Sequence, residues 1–165
     1  MSNRFQNFLA ELEEVLNSNV DFVQKVQYLS KELKQYIGAD RCTIYIHDCV
    51  TKSFWSAHID GISFLEIPDH VGIVGHVYKD GNSEIINDVA NHPMFFSKID
   101  VKTGYHTKTM MTTPILDKRQ NRVGIIQVLN KTKEPFIFEK EDEELLFNLM
   151  AHFSEFISYM RHGCE

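Results

Sequence analysis

A short connection flanked by opposite charges, Lys131 and Asp142, constrains this chain most. Residues 123–129 (VGIIQVL) are a β-branched run of strand length that ends at Asn130-Lys131. From Phe138 onward an acidic first turn, containing Asp142 and Glu143, feeds an apolar helical stripe. A strand end and a helix start joined so closely can bring Lys131 and Asp142 together. If the pair is buried, removing one partner strands a charge at a cost of roughly 3–5 kcal/mol. The bland alternative is a solvated charge run, in which the two interact little.

The remaining hydrophobic pattern supplies helices first and then strands. Phe5, Phe8, Leu9, Leu12, Val15 and Leu16 recur at helical spacing until Asn17-Ser18-Asn19 stops them. Asp21 is placed to cap a second helix carrying Phe22, Val26, Leu29, Leu33 and Tyr36, with Gly38 as its stop. Residues 42–47 alternate along a strand, with Ile44 and Ile46 facing one way and Thr43 and Tyr45 the other. Further strands are predicted over 54–59, 64–67 and 83–86, with a short helix over 72–78. A hairpin is predicted from 110–116 and 123–129, and a final helix over about 138–160. Successive strands without intervening helices favour antiparallel pairing. The segment 87–107 reads as irregular, and a connection of that length in a compact domain tends to be a lid or binding loop.

A chain of 165 residues, 43% of them hydrophobic, suffices for one core and is short for two domains. No apolar run approaches the roughly 20 residues of a membrane span, and the N-terminus lacks signal-peptide order, so a cytoplasmic protein is expected. The three cysteines, Cys42, Cys49 and Cys164, form no CxxC pair, and free thiols are expected. The net charge of −6 argues against a nucleic-acid partner. A phosphate ester would have to be held by local N–H groups or specific cations rather than by the overall field. The eight histidines show no metal-ligand spacing. His76 and His92 are candidates for polar contacts only.

The Asn130-Lys131, Phe138, Asp142-Glu143 pattern resembles the Asn-Lys…Phe-x-x-x-Asp-Glu signature of cyclic-nucleotide-binding GAF domains, regulatory modules of phosphodiesterases and some bacterial adenylyl cyclases. The similarity extends through Asp60-Gly61, Ile67-Pro68, Gly72-Ile73-Val74-Gly75-His76, Ile86-Asn87-Asp88 and Asp100-x-x-Thr103-Gly104-Tyr105-x-Thr107, in the family's order, and covers roughly 22–160. It implies an α+β fold: a mostly antiparallel sheet of about six strands, with the first, second and last helices on one face and a ligand lid on the other. Residues 1–20 are then an N-terminal helix for dimerisation or core packing, and 21–165 the sensing domain with its long C-terminal helix.

The candidate site follows from residues and resemblance together. Gly72-Ile73-Val74-Gly75 opens a helix whose N–H groups can face an anion, or is an ordinary turn. The resemblance places Ile73 and Val74 over phosphate and sugar. Ile59 and Asp60 end a strand where an apolar side chain can cover a purine and a polar group can read its edge. Thr43 and Gln127 are polar residues on otherwise apolar strands, and a neutral amide can both donate and accept. Arg41-x-Thr43 is similar to the cAMP-binding GAF domains of cyanobacterial adenylyl cyclases, which implies positions near adenine; the alternative is a strand-edge Arg in water. Asp100, Thr103 and Thr107 match the family's lid motif. Tyr105 is either lid or packing.

The resemblance implies a non-enzymatic sensor that needs no cofactor and binds a purine cyclic nucleotide, cAMP ahead of cGMP. It would signal through a helical homodimer to a downstream effector domain. Two rivals are a dimerisation module with a vestigial pocket and a free methionine sulfoxide reductase. The reductase requires closely placed pocket cysteines, which the spacing of Cys42, Cys49 and Cys164 disfavours. A tetrapyrrole sensor is disfavoured because no cysteine falls in the lid.

Overall fold

The computed structural model describes residues 2–95 and 97–160. Six strands form one antiparallel sheet in the order β3-β2-β1-β6-β5-β4. They are β1 (Ala39–Asp48), β2 (Ser53–Ile59), β3 (Glu66–Pro68), β4 (Glu84–Ile86), β5 (Met110–Leu116) and β6 (Arg122–Lys131). The long central strands β1 and β6 pair with each other, and the three-residue strands β3 and β4 lie at the edges.

Alternation along these strands divides the core in two. Cys42, Ile44, Ile46, Ile126 and Val128 face a helical layer made of α1 (Asn3–Leu16), α2 (Phe22–Ile37) and a long C-terminal helix (Lys140–Ser158). Leu12, Val26, Leu29, Leu33, Leu146 and Leu149 are fully buried there. Each contributes roughly 1.5–3 kcal/mol by leaving water. Thus α1 packs into the same core, and its apolar stripe is covered within the chain. Tyr45 and Ile125 point to the opposite face, where they meet Phe54, Ile67 and the helix α3 (Gly72–Asp80) through Ile73, Val74 and Val77.

Local chemistry accounts for the helix ends. The Asp21 carboxylate accepts from the Gln24 N–H at 2.9 Å, and Gly38 closes α2 in the left-handed conformation, φ 81°. The segment 87–107, read as irregular, also contains a 3-10 turn (Val89–Asn91) and the short helix α4 (Lys98–Thr103). The C-terminal helix, α5, starts two residues later than the pattern suggested. Phe138 is instead held in the core, with its N–H and C=O both bonded by the Asn87 amide at 3.0 Å. The Asp142 carboxylate then caps the backbone N–H of Glu139 at 2.9 Å.

The expected Lys131–Asp142 contact is made. Lys131 Nζ lies 2.7 Å from Asp142 Oδ1 and donates at 2.8 Å to the C=O of Ile37, the last residue of α2. The two side chains are only 8% and 17% exposed, which places the pair closer to a buried bridge than to a surface one. On the other side of the same β6 end, Asn130 takes φ 58° and accepts from the N–H groups of Lys108 and Thr109 at 2.7 and 3.1 Å. Glu143 pairs with Lys140.

Free thiols were expected throughout. Cys42 is free and buried, whereas Cys49, in the turn after β1, is disulfide-bonded; Cys164 lies outside the described residues. Spacing along the chain carries no information on which thiols tertiary packing brings together.

Lys131→Ala and Asp142→Ala should each lower stability by about 2–4 kcal/mol. Denaturant titration of both and of the double variant should show the double losing at least about 1 kcal/mol less than the sum, whereas strict additivity would mean the side chains do not interact.

Candidate functional site

One cavity opens between the α3 side of the sheet and the lid. It is lined by Arg41, Thr43, Ile59, Asp60, Ile73, Val74, Asp100, Thr107 and Gln127 of the sequence-derived set. Thr103 is not among the lining residues; its Oγ1 accepts from the Tyr105 N–H at 3.3 Å within the lid. Neither His76 nor His92 lines it, and both face Glu84 instead. Sequence reading missed the apolar lining of Leu65, Val71, Phe95, Met110 and Leu129. The alternation that placed Thr43 and Tyr45 on one face was the available signal for the strand residues.

The floor is a polar row across three strands. Thr43 is the cross-strand partner of Gln127, and Gln127 of Thr112. Gln127 Nε2 donates to Thr112 Oγ1 at 3.1 Å and to Met110 Sδ at 3.4 Å. Thr43, 5% exposed, has no side-chain hydrogen bond among the described residues. At one wall, α3 begins without a side-chain cap, so the first N–H groups of the helix are left for another acceptor.

The carboxylates at the cavity are already engaged. Asp60 Oδ2 accepts from Lys34 Nζ and from the Cys42 N–H, both at 2.9 Å, and Oδ1 lies 3.1 Å from His58 Nε2. Burial works to raise this carboxyl, but the bonds from His58, Lys34 and the Cys42 backbone outweigh it and hold it well below the usual carboxylate range. Asp60 is therefore a strut between α2 and the β1–β2 pair rather than a free reader of a base edge. Asp100 is likewise committed, its two oxygens accepting from the Thr107 N–H at 2.8 Å and the Thr107 hydroxyl at 2.9 Å. The lid motif thus fastens the lid to itself.

Arg41 stacks on Tyr105, with its guanidinium carbon 3.6 Å from the ring centroid. The Tyr105 hydroxyl donates to Asp40 at 2.6 Å and accepts from Asn130 Nδ2 at 2.9 Å. Burial first, and the bond to Asp40 second, push the Tyr105 hydroxyl well above its ordinary value, so it stays a donor. Gly61 makes this possible: a side chain there would start 2.3 Å from an Arg41 nitrogen, and its φ of 92° is one that side-chain-bearing residues rarely adopt. The enclosed space is small, about 70 Å³. That holds a few waters, so a larger guest enters only when lining side chains such as Arg41 and Tyr105 move. No cysteine among the described residues lines it, and burial pushes the Cys42 thiol up to about 12.

This two-faced antiparallel sheet with a lidded cavity is an α+β ligand-pocket architecture, and the chain belongs to the GAF domain family, whose model matches residues 21–156. A curated relative, the dual 3',5'-cyclic-AMP and -GMP phosphodiesterase 11A of Takifugu rubripes, is 24% identical over 86% of this chain. The chain spans only 17% of that protein. Among solved structures, the GAF domain of a phosphoenolpyruvate-protein phosphotransferase from Coxiella burnetii superposes with TM-score 0.80 at 19% identity, covering 96% of both chains. The free methionine-R-sulfoxide reductase of Neisseria meningitidis superposes with TM-score 0.73 at 18% identity, covering 96% of this chain and 92% of its own. These likenesses establish the fold. No helix among the described residues is long and apolar enough to cross a membrane.

Because the Asp60 carboxyl is held low in the folded state, its contribution is fully present above the ordinary carboxylate pKa and is lost as pH falls through the lowered folded value. Asp60→Asn should cost about 1–3 kcal/mol at pH 7, and the gap to wild type should narrow below about pH 4. Thermal melts across pH 2.5–7 check this; a gap independent of pH would mean the charge is not what stabilises.

Proposed function

We propose that this chain is a regulatory module that binds a purine 3′,5′-cyclic monophosphate, cAMP ahead of cGMP, and passes the event to a partner through its helices. The observation that carries the reading is the convergence of an uncapped helix start, an inward-facing Thr43–Gln127 row and a lid on one cavity. The N–H groups at the start of α3 suit the phosphate, which a protein of net charge −6 cannot attract by its overall field. Thr43 and Gln127 suit the base, with Ile59 against its face. Arg41 would leave Tyr105 to meet the ligand, opening the lid.

The helical side offers the output. Asp60 links the cavity to Lys34 of α2, and Lys131 links the ends of α2 and α5. A ligand that moves either contact biases the helical layer, and a homodimer assembled through that layer would carry the bias to an effector. Exposed Val23 on α2 and Phe147 on α5 are apolar side chains available for such a contact.

A second reading, a dimerisation module with a vestigial pocket, is favoured by one observation, the small enclosed volume of about 70 Å³. The reductase reading finds less support, since Cys42 is buried on the opposite face of the sheet among the helices.

Calorimetry and thermal shift on protein shown by native mass spectrometry to be ligand-free should detect cAMP binding. Asp100→Ala and Thr107→Ala, which unfasten the lid, should weaken that binding by about 1–2 kcal/mol. No heat and no shift with millimolar cAMP or cGMP would favour the vestigial pocket. Sedimentation at micromolar concentration should show a dimer; a monomer unchanged by ligand would remove the dimer mechanism.

A further inference from the structure

The Gln127 side chain is not a neutral reader of its ligand, because its two ends are in different situations. Nε2 points at Met110 Sδ, 3.4 Å away, and at Thr112 Oγ1, 3.1 Å away. A hydroxyl accepts or donates and would suit either end of an amide, so Thr112 alone fixes nothing. A thioether only accepts, so Met110 requires the NH2 end beside it. This leaves Oε1 as the end without a hydrogen-bond partner among the described residues. Nor is it sealed away: among the described residues the buried side-chain oxygens without partners are Ser30 Oγ and Thr113 Oγ1, so Oε1 retains contact with open space, and Gln127 lines the cavity. Its cross-strand neighbour Thr43, also buried at 5% exposure, presents a hydroxyl beside it under the same condition.

We propose that Met110 orients Gln127, with Thr112 as the second partner of Nε2, so that the cavity floor displays a fixed acceptor, Oε1, next to the adaptable Thr43 hydroxyl, and thereby selects a ligand edge carrying an amino donor beside a ring acceptor. Resting on the cyclic-nucleotide reading of the same cavity, this assigns the selected edge to a 6-aminopurine, whose amino group donates to Oε1 while the Thr43 hydroxyl donates to the adjacent ring nitrogen. A 6-oxopurine sets its carbonyl against Oε1, acceptor facing acceptor, and leaves both oxygens without a donor. Met110 acts as the positioning residue: it decides which end of the amide reads the base, while Thr112 accepts from the end that Met110 has chosen.

The test compares 3′,5′-cyclic AMP with 3′,5′-cyclic IMP, which differ at this edge alone, and adenosine with inosine, which lack the phosphate. Titration calorimetry of the wild-type chain should give cyclic AMP an advantage of about tenfold or more. Met110→Leu, which removes the thioether, should let the amide turn and reduce that ratio to about threefold or less, with cyclic IMP gaining as cyclic AMP loses. A merely structural role would weaken both ligands together and leave the ratio intact, which would overturn the orientation argument. Should Met110→Leu fail to fold, Met110→Ile, which also removes the thioether and suits a strand, reads the same ratio. Equal affinity for the two cyclic nucleotides in wild type would overturn the inference while leaving the cyclic-nucleotide function standing. Adenosine bound over inosine with neither cyclic nucleotide bound would support the edge selection and overturn the cyclic-phosphate reading. No binding of any of the four overturns both.

Discussion

Lys131 ties the helical layer to the end of the central strand β6. Its ammonium joins the C-terminal carbonyl of α2 to the Asp142 carboxylate in the first turn of α5, while its own backbone continues the central strand β6. The helix-end carbonyl and the carboxylate are both electron-rich, and a cation between them offsets the negative end of one helix dipole while pairing with a carboxylate at the positive end of another. The neighbouring Asn130 performs the corresponding task on the other face, using both ends of its amide to fasten residues 105–109 to the end of β6. Two adjacent residues therefore tie the lid base and the helical layer to one strand end.

Under the proposed function, that arrangement would link a cavity on one side of the sheet to the helices on the other. Arg41 rests on Tyr105, the Tyr105 hydroxyl is bonded by Asn130, and Asn130 is followed by the lysine that clasps α2 and α5. Asp60 supplies a second connection, from the end of β2 to Lys34 on α2. These are discrete hydrogen bonds and one stacked pair, the kind of contact that a ligand would have to break or keep to bias the helical layer.

The polar groups around the cavity divide by whether the protein already satisfies them. Asp60 and Asp100 are fully engaged by protein donors, so their burial is tolerated and their service is structural. Thr43 Oγ1 and Gln127 Oε1 have no hydrogen-bond partner among the described residues and keep contact with the cavity, where a ligand gains from a matching group. Sequence alone treats all four as polar residues near a presumed pocket.

What the sequence determined by itself is local and periodic. The helical stripes of α1, α2 and α5, the Asp21 and Gly38 ends of α2, the alternation of β1 and the approach of Lys131 to Asp142 are all consequences of short-range spacing, and each is present in the structure. The gathering of Arg41, Thr43, Ile59, Asp60, Ile73, Val74, Asp100, Thr107 and Gln127 around one cavity was legible through the order of motifs along the chain. Only the tertiary structure decided which of those side chains are spent and which are free. Asp60 is engaged by a lysine 26 residues earlier, and Tyr105 meets an aspartate 65 residues away. Gln127 is oriented by a methionine 17 residues before it, on the neighbouring strand. Residue type fixes what a group can donate or accept; the partner that claims it is chosen by strand register and helix packing, which span the whole chain.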